Sequence, residues 1–164
     1  MSLSSAQGDR NVLAALSRFG ARIVRSTNAA TVQSDKLAGF EMSAHDIPDL
    51  VPVISAVASL AQGRTFIRDC ARLRIKESDR LVTTTRELTA LGAQVRIAGD
   101  DLIIKGVDAF IGGEVDSHND HRIAMMAGCA AMLCDGSVTL TGGEQVSKLS
   151  LIHISEPTRH LRIS

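Results

Sequence analysis

The chain repeats itself, which limits it to architectures assembled from copies of one supersecondary unit. Residues 16–23 (LSRFGARI) read like residues 88–95 (LTALGAQV), an offset of 92 − 20 = 72 between their glycines. Residues 39–42 (GFEM) align with 112–115 (GGEV), and 63–66 (GRTF) with 136–139 (GSVT), both offset by 73 (112 − 39; 136 − 63). A period near 70 is too long for the common solenoid repeats. It suits a unit of two helices and several strands.

Both copies give the same reading. A helix of period 3.6 comes first, carried by Val12, Leu13, Leu16 and Phe19, then by Leu81, Leu88 and Leu91. Gly20 and Gly92 end these helices, as a left-handed C-terminal cap requires. Two strands follow, over 22–25 and 31–33 in the first copy and 94–98 and 101–105 in the second. Gly99-Asp100 supplies a hairpin turn. A third extended piece covers 41–43 or 114–116. A second helix, apolar nearly all round, covers 49–62 or 120–134, so it is expected to be buried on more than one side. A closing strand covers 65–69 or 138–141. The unit is a circularly shifted β-α-β-α-β-β, and the predicted class is α/β.

The repeat also organises the charges. Asp49 aligns with Arg122 (122 − 49 = 73), both at the predicted start of the second helix. Lys76 aligns with Lys148 (148 − 76 = 72), both at the predicted start of a first helix, where the first copy has Ser4. If equivalent helices point the same way, these starts converge. Residues 74–80 (RIKESDR) and 116–122 (DSHNDHR) crowd charges at element boundaries with neither strand alternation nor helix-face spacing. A helix start offers free N–H groups and positive potential, which suits a small anion. Bland readings stand beside this one. Residues 76–80 could be a solvated helix start, although Lys76 and Arg80 oppose its dipole. Asp49 after Pro48 and Asp120 could be N-caps. Asp79 could cap or orient Arg80, and His121 could orient its neighbours. Arg72 and Arg74 read as surface cations.

Composition removes several classes. Lys plus Arg equals Asp plus Glu at 18 each, and neither Trp nor Tyr is present. A nucleic-acid partner, which needs excess cations and stacking rings, is not expected. No apolar run approaches the roughly 18 residues that span a membrane, and no secretory signal precedes the first helix. Cys70, Cys129 and Cys134 form no CxxC pair, so free thiols in a cytoplasmic protein are the reading. His45 and His118 align in the repeat, but no cysteine or acid spacing supports zinc, and no metal or cofactor is expected.

The charged motifs carry a resemblance. Residues 7–9 (QGD), 47–52 (IPDLVP), 73–80 (LRIKESDR), 115–117 (VDS), 120–125 (DHRIAM) and 146–148 (VSK) resemble those of the enolpyruvyl transferase family, in its 5-enolpyruvylshikimate-3-phosphate synthase branch. The resemblance covers about residues 5 to 148 and most of one of the family's two domains. It implies an inside-out α/β barrel with inner helices, outer sheets and an incomplete third unit. It implies transfer of enolpyruvyl from phosphoenolpyruvate to the 5-hydroxyl of shikimate 3-phosphate, with release of phosphate. Within that chemistry Asp49 would meet the shikimate hydroxyls and accept a proton. Glu77 would donate one near the phosphoenolpyruvate carbon, and Lys76 would hold the shikimate hydroxyl. Arg80, Arg122 and Lys148 would grip phosphoenolpyruvate, with His121 in support. The other domain would be the partner that completes the cleft. Residues 149–164 depart from the family pattern and read as a foreign tail, leaving residues 1–148 as the partial domain. A related enolpyruvyl transferase, a stand-alone anion-binding module and an inert fragment are the other readings.

Overall fold

A computed structural model of the chain describes residues 11–26, 29–34, 36–143 and the backbone of 161–163. Two units follow one another. The first is α1 (Val12–Arg18), β1 (Arg22–Arg25), β2 (Ala30–Gln33), β3 (Glu41–Ser43), α2 (Val51–Ser59) and β4 (Arg64–Arg68). The second is α3 (Arg80–Ala90), β5 (Gln94–Ala98), β6 (Asp101–Lys105), β7 (Gly113–Asp116), α4 (His121–Ala131) and β8 (Val138–Thr141). A short β9 (Leu161–Ile163) closes the described chain.

The repeat holds at the level of hydrogen-bond register. Glu41 faces Phe66 in the parallel β3–β4 ladder, and Glu114 faces Thr139 in β7–β8, so both partners move by 73 (114 − 41; 139 − 66). Arg22 faces Gln33 in β1–β2, and Gln94 faces Lys105 in β5–β6, both moving by 72. Gly20 and Gly92 sit past their helices at φ 103° and 93°, a region that glycine enters without a Cβ clash.

The units also interlock. β4 of the first pairs antiparallel with β6 of the second, giving a four-stranded sheet in the order β3-β4-β6-β5. Helices α2, α3 and α4 pack on one another, and the sheets keep an outer face. Two apolar cores result, and α3 belongs to both. Leu81 packs with Ile54, Ile67, Leu73 and Leu102, while Leu88 and Leu91 pack with Phe110, Ile123, Met126 and Leu140. The first hairpin lacks what the second has. Ile104 in β6 is fully buried beside β4, whereas its equivalent Val32 in β2 is 41% exposed and Val24 is 51% exposed. The β1–β2 hairpin therefore presents apolar side chains to solvent where β5–β6 buries them. β9 does not repair the symmetry, because it pairs parallel with β8 where β6 pairs antiparallel with β4. Among the described residues no helix is long and apolar enough to cross a membrane.

Two predicted helix starts are corrected. Pro48–Leu50 forms a 3₁₀ turn and α2 begins at Val51, so Asp49 lies ahead of the helix and caps nothing. Residues 71–75 form another 3₁₀ turn, and Lys76 and Glu77 sit in the connection before α3 rather than in its first turn.

Where the end of β6 crosses the end of α2, backbones touch. A Cβ on Gly106 would lie 1.8 Å from the Ala61 carbonyl oxygen. Gly106→Ala should therefore destabilise the chain by about 1–3 kcal/mol, as overpacking does. Gly128, inside α4, has open space around a Cβ. Gly128→Ala should stabilise by about 0.5–1 kcal/mol through helix entropy. Urea unfolding of both variants checks the opposite signs.

Candidate functional site

The loop before α3 is tied down from several sides. Leu73 is fully buried in the first core, and its N–H bonds the Cys70 carbonyl at 2.9 Å to close the 3₁₀ turn. Arg74 donates to Asp100 Oδ1 and to the Gly99 carbonyl, each at 2.9 Å, which fastens the turn to the β5–β6 hairpin. Asp79 caps α3, its Oδ1 accepting the Val82 N–H at 3.2 Å. Asp79 therefore serves the helix, and Arg80 is oriented by other acids.

Arg80 is the hub of the site. Its side chain is 1% exposed. Nε donates to Asp120 Oδ2 at 2.7 Å and Nη2 to Asp120 Oδ1 at 3.1 Å, a bidentate fork. Nη1 donates to Asp49 Oδ1 at 2.7 Å, and Nη2 also reaches Glu77 Oε2. Lys76 Nζ lies 2.9 Å from the same Asp49 Oδ1. Asp120, with a fully buried side chain, accepts further bonds from Ser78 Oγ at 3.0 Å and from the Arg122 N–H at 2.9 Å. Three carboxylates thus surround Arg80, one of them shared with Lys76, and Arg122 is joined through its backbone.

Burial grades this cluster. Asp120 and Arg80 lie underneath, Lys76 is 24% exposed, Asp49 41% and Glu77 50%. Within the ion-pair cluster, Asp49, Lys76 and Glu77 are therefore the groups that solvent reaches. Burial raises the Asp49 pKa, but hydrogen bonds and charge from Lys76 and Arg80 outweigh it and hold the carboxyl below its ordinary 3.8. Asp120 behaves alike: burial pushes it up, and the Arg80 fork with the Arg122 N–H pulls it below 3.8. Both are carboxylates at neutral pH.

The sequence expectations fare unequally. Asp49, Lys76, Glu77 and Arg80 come together as expected, although they lie in two connecting segments and one helix start. The resemblance implies that Arg80 grips phosphoenolpyruvate, and in this structure its donors are already engaged. It is buried, with its donors on three carboxylates, because an unpaired guanidinium at that depth is far costlier than a paired one. The backbone N–H of Arg122 bonds the same Asp120 carboxylate that the Arg80 guanidinium grips. His121 is the first residue of α4 and half-buried. Lys148 and the motif at residues 7–9 lie outside the described residues. Asp120 does cap α4, but its larger role as the floor of the Arg80 site was missed. The cap uses only one lone pair of Oδ1, so both carboxylate oxygens still accept from Arg80. Ser78 was missed as well. Among the described residues no group of three or more metal-ligating side chains is placed to hold a metal ion. Cys70 is buried, with its thiol pushed up to about 12 by desolvation, and is chemically quiet.

Comparison with known proteins is consistent with this geometry. The family model for EPSP synthase (3-phosphoshikimate 1-carboxyvinyltransferase) matches residues 1–149. A 3-phosphoshikimate 1-carboxyvinyltransferase of Clostridium acetobutylicum is 46% identical over 148 residues, which are 90% of this chain and 34% of the relative. One from Halobacterium salinarum is 39% identical over 145 residues, 87% of this chain and 34% of the relative. Among solved structures, EPSP synthase from Acinetobacter baumannii superposes with a TM-score of 0.71 at 29% identity, over 84% of this chain and 35% of that one. The enolpyruvyl transferase NikO from Streptomyces tendae shares the fold at 21% identity, with a TM-score of 0.70 over 84% of this chain and 32% of that one. The chain spans about a third of the length of the relatives it matches. Repeat, architecture and family match agree, and this chain belongs to the EPSP synthase family.

Proposed function

We propose that the chain supplies one wall of a 3-phosphoshikimate 1-carboxyvinyltransferase site, transferring enolpyruvyl from phosphoenolpyruvate to the 5-hydroxyl of shikimate 3-phosphate in the cytoplasm. The observation that carries this reading is the contact of Asp49 Oδ1 with both Lys76 Nζ at 2.9 Å and the Arg80 guanidinium at 2.7 Å. The two cations keep this carboxylate in the unprotonated form that a proton acceptor requires, while weakening it as a base, and it remains open to solvent. On this reading Asp49 binds the shikimate hydroxyls and takes the 5-hydroxyl proton, assisted by Lys76. Glu77, the most exposed acid of the cluster, protonates the phosphoenolpyruvate methylene and later reverses that transfer. Arg122 and Lys148 bind the carboxylate and phosphate of phosphoenolpyruvate, with His121 in support. Arg80 reaches that ligand only by exchanging Glu77 or Asp49 for one of the ligand's own oxygens. The expelled phosphate is neutralised by cations and needs no metal. The second domain of the family supplies the opposite wall, and a third unit closes the helices and sheets into the barrel. Residues 149–164 take no part.

Phosphate release tests this. The stretch of the Clostridium acetobutylicum relative that the chain matches is replaced by residues 1–148, and both substrates are supplied. The chimera should turn over. The chain by itself should release no phosphate above background, since half a cleft open to water loses its electrostatic strength. A folded chimera without turnover, or appreciable turnover by the chain alone, contradicts the reading.

A further inference from the structure

A second charged residue is buried on α3, and the proposed chemistry leaves it unused. Glu87 is 3% exposed. It follows Arg80 by seven residues, so the two side chains lie on one face of the helix, two turns apart. A carboxylate at that depth is costly unless it is fully engaged, and an apolar residue would fill the place more cheaply. Glu87 is engaged by one segment. Its Oε2 accepts the Asp116 N–H at 2.9 Å, and its Oε1 lies 2.8 Å from His118 Nε2. The exposed Arg86 approaches Oε1 at 3.5 Å from outside.

That segment is the one that delivers Asp120. His118 and Asn119 have φ 53° and 56°, two successive left-handed residues without a glycine. Such residues hold this conformation only where their surroundings fix it. The turn is braced by Asp116 Oδ1, which accepts the His118 N–H at 2.7 Å, and by the Ser117 carbonyl, which accepts the Asp120 N–H at 2.9 Å. It ends on Asp120, which caps α4 and holds Arg80 in its fork. One face of α3 therefore grips residues 116–120 at both ends, with Glu87 at the near end and Arg80 at the far end.

We propose that Glu87 is a positioning residue for the site. Its buried carboxylate fixes the left-handed turn at 118–119. It thereby sets where Asp120 presents its carboxylate to Arg80, and through Arg80 where Asp49 and Glu77 stand. The importance of those two acids rests on the enolpyruvyl reading, but the coupling from Glu87 to Arg80 does not. Glutamine can keep both contacts: its carbonyl accepts the Asp116 N–H, and its amide donates to His118 Nε2 in the tautomer protonated at Nδ1. Alanine keeps neither.

The test is NMR on the ¹⁵N-labelled chain without substrate, reading water exchange of the Arg80 Nε–H against the backbone amides of the β5–β6 ladder. Glu87→Ala should speed Arg80 Nε–H exchange about tenfold or more while the ladder keeps its protection, as selective local opening does. Glu87→Gln should restore the slow exchange. Unchanged Arg80 exchange in the alanine variant overturns the proposal. So does an equal loss at Arg80 and in the ladder, which marks a merely structural role. If Glu87→Ala does not fold, His118→Ala, which removes the more exposed of the two contacts, decides on the same readout. Faster Arg80 exchange with an intact ladder supports the proposal, and unchanged exchange overturns it. No substrate enters the experiment, so failure of the enolpyruvyl reading leaves its outcome untouched.

Discussion

Asp120→Ala should cost the chain about 3–5 kcal/mol of stability, the range for breaking a buried ion pair from one side. Three losses combine. Arg80, 1% exposed, loses its bidentate partner and keeps only the more exposed Asp49 and Glu77. Ser78 loses its acceptor, and the Arg122 N–H loses its cap. Folded domains are stable by about 5–15 kcal/mol in total, so this is a large share. The urea midpoint should fall with an unchanged slope. Asp120→Asn keeps the shape and the cap but not the charge, and it separates the electrostatic part. The folded-state pKa of Asp120 is depressed below 3.8. Its contribution is therefore present above the ordinary value and lost as pH falls through the depressed one. The asparagine variant should lack that share of acid sensitivity. A loss below about 1 kcal/mol for Asp120→Ala, the scale of a surface pair, would mean that Arg80 is not held as described.

Asp49→Asn should do the opposite, sparing stability and removing activity. The side chain is 41% exposed, and asparagine Oδ1 can still accept from Lys76 and Arg80. Stability should fall by no more than about 1 kcal/mol, the scale of an exposed pair. In the chimera, kcat should fall about 10²–10⁴-fold, the usual contribution of a positioned general acid or base. Loss of a proton acceptor cannot be made good by hydrogen bonding alone. A variant whose kcat stays within about threefold, well short of that contribution, would remove Asp49 from the proton transfer.

The units were legible in the sequence because each element carries its own local signal. Residues 94–98 and 101–105 alternate around Gly99-Asp100, and both strands fall on those positions. Gly20 and Gly92 mark helix ends through a backbone requirement that a sequence states directly. The 3₁₀ turns were not legible. Three to five residues are too few to show a period, so residues 49–50 read as the start of the following helix and residues 71–75 read as no element. The pairing of β4 with β6 crosses the boundary between units, where the repeat gives no register. Membership of the site was legible as a cluster of charges, but its depth was not. Arg80 is buried by acids 31 and 40 positions away, and nothing local distinguishes it from Arg74, whose exposed guanidinium rests on the β5–β6 hairpin. Nothing local marks Glu87 either, because its partners at residues 116 and 118 are 29 and 31 positions away. Asp49 and Glu77 stay solvent-exposed beside Arg80, the position their place in the charge cluster implies.

The central claim is that Asp49, Lys76, Glu77 and Arg122 form the substrate-facing wall of an enolpyruvyl-transfer site. The most direct measurement is a crystal structure of the Asp49→Asn chimera with shikimate 3-phosphate and phosphoenolpyruvate, slow enough to hold both. The account predicts the 5-hydroxyl within hydrogen-bond reach of residue 49 and Lys76, at about 2.6–3.2 Å, with Glu77 beside the phosphoenolpyruvate methylene and Arg122 on its anionic groups. Substrates bound away from residues 49, 76, 77 and 122, with the Arg80 cluster facing only solvent, would contradict it.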